Sequence, residues 1–181
     1  MSGKHKSPKA GSENRNMKAG VSGVASGDDP RLAAAQKRLR ESVGRDDALE
    51  ALREIVTNLL GCEEIGLFTV EPGNSGLLWS FGIDPQRHGT LDSFQESAMH
   101  RVLQGECHIA QVAHEGQAAD ENPPLRVFIP IRLKGRTVAV LVMVRLLPQK
   151  FGFDEADLNL AKLLSDETGR ALFDRSASAN A

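Results

Sequence analysis

Two cysteines, a handful of histidines and a spread of arginines are the residues of this chain that could do chemistry. Their spacing decides which chemistry is open. Cys107 is followed directly by His108, and a thiol becomes a nucleophile when a neighbouring imidazolium lowers its pKa. The stretch "CHIAQVA" after Gly105 reads as a short strand, however, and adjacent strand residues point to opposite faces. The pair therefore reads as one buried Cys beside one exposed His. Cys62 and Cys107 are far apart in sequence and form no C-x-x-C, whereas a thiol–disulfide cycle needs two sulfurs close in space. His88, His100, His108 and His114 are irregularly spaced with no i, i+4 pair, so they do not read as a metal set. No Ser/His/Asp order, phosphate-cradling glycine loop or paired acids emerge.

What remains is a candidate binding lining. Trp79 and Phe81 fall on a second strand, Phe94, His100 and Arg101 on a middle helix, and Arg126, Phe128 and Arg132 on a fourth strand. Arginine offers a fixed fork of donors for a carboxylate or phosphate, and aromatic rings offer a stacking surface. The competing reading keeps Phe94 and Phe128 as core and the arginines as solvated surface.

The elements that must position these residues follow from hydrophobic period. Asp28-Asp29-Pro30 is a helix start, and Leu32, Ala35, Leu39 and Val43 then recur as a narrow apolar stripe up to Gly44. A second helix restarts at Asp46 or Asp47, with Leu49, Leu52, Val56, Leu59 and Leu60 as a broader face and Gly61 at its C′ position. From Cys62 the period becomes two. Ile65, Leu67 and Thr69 share one face of a strand, Gly66, Phe68 and Val70 the other. "PGNSG" (Pro72–Gly76) turns the chain into "LLWSFGI". A helix is expected from Thr90 to Gln104, with Leu91, Phe94, Ala98 and Val102 on one side. The short strand "CHIAQVA" and a polar loop, His114–Pro124, follow.

The most apolar stretch, "RVFIPIRLKGRTVAVLVMVRLLP", reads as a hairpin about Lys134-Gly135. Both faces of both strands are largely apolar, which marks them as central and covered on two sides. A last helix starts at Asp154, with Asp157 at N3 favouring the helix dipole, and runs through Leu158, Ala161, Leu164, Thr168 and Leu172. The expected fold is α+β: an antiparallel sheet of five or six strands, terminal helices on one face and the middle helix and loops on the other.

The totals exclude several classes. A 40% hydrophobic fraction supports one core, and a net charge of −2 gives no overall pull toward nucleic acid or membrane. Arg132, Lys134 and Arg136 interrupt the longest apolar run, so no membrane span is expected. The N-terminus has no apolar signal region, and two unpaired thiols suit a reducing cytoplasm. Residues 1–27 carry Lys4, Lys6, Lys9, Arg15 and Lys18 against Glu13, with almost nothing to bury. They read as a disordered basic tail, 28–44 as a separate N-terminal helix, 45–175 as the domain and 176–181 as a disordered C-terminus.

Element order and particular stretches resemble the GAF domain. "FIPIRLKGRTVAVLVM" is similar to the family's strand pair, and "FGFDEADLNLAKLLSDETGRAL" to its closing segment. "VLQGECHIAQV" falls where the family has a Gly, a small residue and a strand. The resemblance covers roughly residues 46–175 and implies a GAF/profilin-like sheet. It implies a regulatory or signalling module that takes a small ligand or a protein partner between the sheet and its middle helix. The related roadblock type shares the element order, but is usually shorter and lacks the loop His114–Pro124.

The departures from the family narrow the function. Its cyclic-nucleotide members carry Asn-Lys and then Phe-x-x-x-Asp-Glu. Here Gln149-Lys150 stands for the first pair, and Phe153 and Asp157 keep the second spacing with Leu158 in place of the Glu, which argues against cyclic GMP or AMP. Gln111 stands where an Asp is common and Ala139 where a Gly is. The resulting expectation is a non-enzymatic cytoplasmic module with no assigned cofactor, acting through a protein partner. The alternative is a thiol-dependent redox enzyme on the same scaffold, like the free methionine-R-sulfoxide reductases. The narrow stripe on the first helix, with Leu160, Leu163 and Leu164 on the last, further predicts a homodimer through the terminal helices, the competing reading being that the first helix folds back on its own sheet.

Overall fold

The computed structural model describes residues 29–70, 75–94, 96–111, 125–150 and 152–174. The basic tail at 1–27, the whole polar loop at 114–124 and the C-terminal segment 176–181 lie outside the described residues. The described residues form ten elements in chain order: α1 (Pro30–Arg40), α2 (Gly44–Leu59), β1 (Cys62–Thr69), β2 (Leu77–Phe81), a 3-10 turn (Leu91–Phe94), α3 (Met99–Leu103), β3 (His108–Gln111), β4 (Leu125–Leu133), β5 (Arg136–Leu146) and α4 (Glu155–Phe173). The five strands form one sheet in the order β2-β1-β5-β4-β3, with every neighbouring pair antiparallel.

The apolar hairpin is the centre of that sheet, as its two-sided hydrophobicity requires. Lys134 and Gly135 turn it with positive φ at both residues, the geometry that matches strand twist in a two-residue loop. Alternation sends Val127, Ile129, Ile131, Ala139, Leu141 and Met143 to one face, where they join Ile65 and Leu67 under the helices. Phe128, Val140 and Val142 go to the other, where they meet Phe68, Leu91, Phe94 and Val102. The sheet therefore separates two cores.

The first core is closed by α1, α2 and α4. Asp154 and Asp157 form a reciprocal capping box at the start of α4: the Asp154 carboxylate accepts from the Asp157 N–H at 2.8 Å, and Asp157 accepts from the Asp154 N–H at 3.2 Å. Asp157 does more than favour the dipole. It is buried, and its oxygens also meet Lys150 Nζ at 2.7 Å and Arg31 at 3.4 Å. Further along, α4 lies directly on the backbone of β4, where a Cβ at Gly169 would overlap the Arg132 carbonyl oxygen.

Expectations about the helices are corrected here. The helix at 28–44 does not stand apart from the domain. Ala35 and Leu39 are 1% and 2% exposed within the first core, where α1 packs on α4 and α2. Its stripe is narrow because α1 sits in a groove between two helices, while Val43, the fourth residue of the pattern, is 75% exposed. Leu160 and Leu164 are likewise buried inside the chain and Leu32 and Leu163 partly so, which covers most of the apolar surface read as a dimer seam.

The second helix begins at Gly44, earlier than its acidic pair. Val43 holds the N-cap position without a side-chain cap, and Asp47 reaches back to accept the Val43 N–H at 2.8 Å. The single helix expected over Thr90–Gln104 is instead a 3-10 turn and the short α3. Ser93 Oγ bonds the Thr90 carbonyl, and the Glu96 carboxylate accepts from the Ala98 N–H at 3.1 Å, so each piece has its own local terminus. The apolar spacing still works across the break, since Leu91, Phe94, Ala98 and Val102 are all buried.

Candidate functional site

Three of the eight residues read as a lining converge on the second core. Phe94 packs edge-on against Phe68 at 5.5 Å and Phe128 at 5.9 Å between ring centroids. The Arg126 guanidinium lies 4.9 Å from the centre of the Phe94 ring. The other five are elsewhere. Trp79 opposes Leu67 and packs on the first core, and Phe81 lies under Arg53 of α2 at 5.2 Å. Arg132, at the far end of β4, runs past Gly105 and reaches Asp166 of α4 at 4.0 Å. His100 and Arg101 are exposed on α3.

His88 is the residue the sequence reading left out of the lining. Its ring stacks on Phe94 at 4.7 Å with the planes 3° apart. A local turn puts it there. The Asp84 carbonyl accepts from the Arg87 and His88 N–H groups, and the Asp84 carboxylate from that of Gln86 at 2.9 Å. Gly89–Leu91 is then stitched to the start of β2 by Leu77 N–H to the Gly89 carbonyl and Leu91 N–H to the Ser75 carbonyl. The only sequence signal was the Asp-Pro turn before it, which fixes a loop without revealing its destination.

Electrostatically this face is unusual. Arg126 Nε and His88 Nδ1 are both buried with no hydrogen-bond partner among the described residues. Burial pulls the Arg126 pKa down, with Glu96 opposing it. Burial and then the charges of Arg126 and Arg87 hold His88 below its ordinary value. Glu96 is committed elsewhere, with its carboxylate 3.2 Å from His108 Nε2 and bonded to the Ala98 N–H. His108 itself sits beside Phe128, ring centroids 6.1 Å apart.

The thiols are arranged otherwise than expected. Cys107 is the exposed member of its pair, and His108 is half-buried against the second core. Cys62 is buried at the start of β1, where burial pushes its thiol up to about 12. Burial of its sulfur also raises the Cys107 thiol, although the residue as a whole is exposed. The strand order puts β5 and β4 between β1 and β3. Three strand spacings separate the two cysteines by roughly 14 Å, well beyond disulfide reach. Among the described residues no group of three or more His, Cys, Asp or Glu side chains could hold a metal ion.

On the opposite side of the sheet an open cavity of about 580 Å³ lies between the end of α2, the loop after β5 and the start of α4. It holds none of the eight predicted residues. Its lining includes Lys150, Phe153 and Asp157, the retained half of the cyclic-nucleotide pattern. Lys150 bonds Asp157 and lies 5.1 Å from the centre of the Phe153 ring, so these residues satisfy one another as a latch beneath α4.

The fold is that of a domain family used in signalling and ligand binding. A model of the GAF domain family matches residues 42–172, and the chain belongs to that family. Its structure is similar to the GAF domain of the Acinetobacter phosphoenolpyruvate-protein phosphotransferase, with 21% identity and a TM-score of 0.57 over 83% of this chain and 95% of that one. The GAF domain of the Coxiella burnetii phosphoenolpyruvate-protein phosphotransferase is similar at 15% identity and a TM-score of 0.59, over 83% and 95%. The phytochrome photosensory core module of Stigmatella aurantiaca reaches 0.60 at 10% identity, over 83% of this chain and 37% of that one. These likenesses show the fold. No curated protein sequence matches the chain. Among the described residues no helix is long and apolar enough to cross a membrane.

Proposed function

We propose that this protein is a non-enzymatic regulatory module of the cytoplasm that binds a small ligand on the sheet face bearing Phe94, Phe128, Arg126 and His88, and signals through a protein partner. The observation that carries the reading is the pair of buried, unpartnered nitrogens on Arg126 and His88 beside an aromatic cluster. Buried polar groups are normally satisfied, and exceptions concentrate where something else completes them. The protein purified from its own host should retain a small molecule detectable by native mass spectrometry. Its release should perturb Phe94 and His88 resonances and leave those of Trp79 unmoved.

Thiol catalysis is the rival, and raised thiol pKa values with wide separation tell against it. Replacing both cysteines with serine should leave regulatory activity intact, and loss of activity in a folded double variant would reverse the choice. Self-association through the terminal helices would have to use their outer faces, because Ala35, Leu39, Leu160 and Leu164 are already buried in the chain. Light scattering on the wild type tests it, with a monomer at tens of micromolar ending the dimer reading.

A further inference from the structure

Among the described residues five arginines are partly buried: Arg31, Arg38, Arg53, Arg126 and Arg132. Arg31 meets Asp157 at 3.4 Å, and Arg38 meets Asp47 at 2.8 Å and Glu54 at 2.9 Å. Arg53 Nε bonds Glu50 at 2.9 Å, and Arg132 reaches Asp166 at 4.0 Å. Arg126 alone of the five meets no carboxylate among the described residues, and its Nε has no acceptor. An aromatic face compensates a desolvated guanidinium only in part, because the ring supplies quadrupole attraction and accepts no strong hydrogen bond. The nearest acid is turned away, since Glu96 bonds the Ala98 N–H and pairs with His108.

We infer that Arg126, set among Phe94, Phe128 and His88, receives the carboxylate of a small organic acid. This inference rests on the ligand-binding reading above and names the ligand class. A planar carboxylate can take two parallel N–H donors from the fork, Nε among them, so one group completes the arginine in both charge and hydrogen bonding. His88 is held toward its neutral form by the same surroundings and Arg87 is exposed to solvent, which leaves Arg126 as the one partly buried cation of this face among the described residues. One carboxylate matches that charge, whereas a phosphate dianion brings a second that the site does not offset.

The test uses the full chain labelled with nitrogen-15, following the arginine Nε–H resonances during titration with benzoate, pyruvate, benzamide and inorganic phosphate. Benzoate or pyruvate should shift the Arg126 Nε–H saturably, with at least tenfold weaker binding in Arg126→Gln. Arg126→Lys keeps the charge but loses the fork, and should fall between the two. Its spectrum also guards against a glutamine variant that fails to fold. Equal benzoate affinity in wild type and R126Q overturns the inference, as does tighter binding of phosphate than of either acid. If neither acid saturates the site at tens of millimolar, the inference is likewise wrong. Benzamide binding as well as benzoate would remove the carboxylate and leave the small-ligand reading standing. That reading falls separately if no retained molecule is found and none of the four probes perturbs this face.

Discussion

On the face covered by α1, α2 and α4, Asp157 and Glu167 are buried and each meets cations, Arg31 and Lys150 for the first, Arg40 for the second. On the opposite face Arg126 and His88 hold buried nitrogens that meet nothing among the described residues. The same sheet separates these environments, so the difference is not one of overall stability. A carboxylate buried without a partner costs several kcal/mol, and the helical face avoids that cost at both carboxylates. Its one unpartnered buried side-chain atom on α4, among the described residues, is the neutral hydroxyl of Thr168. The second face leaves part of that cost in place. A fold tolerates such a local departure where the rest of the structure is internally consistent, and such departures are expected at functional sites.

The largest effect should come from breaking the helical face at its tightest point. Gly169→Ala must push α4 off the β4 backbone, and should cost about 3 kcal/mol or more, read as a fall in melting temperature by circular dichroism. A loss within experimental error would show that α4 does not rest on β4 as described.

Asp157→Ala comes next. It removes the capping box and leaves Arg31 and Lys150 without their shared carboxylate, so urea denaturation should report a loss of about 2–4 kcal/mol.

Glu167→Gln should have a smaller effect that depends on pH. Burial alone would raise the Glu167 carboxyl, but hydrogen bonds from Arg40 and Gln36 outweigh it and hold the group below the usual glutamate value. Its folded pKa is therefore lower than its unfolded one. The stabilisation is fully present above the unfolded value near 4.3, and is lost as pH falls through the folded value. The gap in stability between wild type and E167Q should be about 1–2 kcal/mol at pH 7 and close as the pH drops below about 4.

The smallest effect sharpens the comparison most. Arg126→Met removes a desolvated cation with no anionic partner, at the expense of its contact with Phe94. Stability without ligand should stay within about 1 kcal/mol of wild type, or rise. Arg38→Met on the helical face should lose stability, because it strands Asp47 and Glu54. If Arg126→Met proves the more damaging of the two, the faces do not differ as argued.

Much of this architecture is fixed by local rules that the chain displays openly. The period of two in "RVFIPIR" and "TVAVLVMV" assigns each residue to its face, and burial on both sides makes these strands central. Asp29-Pro30, Gly61 and the Asp154/Asp157 pair mark helix ends because caps need only neighbours in sequence. What tertiary structure alone decided is which distant groups meet. Phe94, Arg126 and Phe128 came together as the sequence suggested, because alternation and helical spacing carried them to one face. Trp79 and Phe81 did not, since which face of the sheet receives α2 is settled by packing across the whole core. Arg132 left the group because its long side chain reaches Asp166 of α4, a partner that only the packing of α4 on β4 brings near. His88 entered through a loop whose path depends on the backbone bonds Leu77 to Gly89 and Leu91 to Ser75, between residues well separated in sequence. The stripe on α1 carried the right apolar spacing for either a dimer seam or an internal groove, and only the positions of α2 and α4 chose the groove.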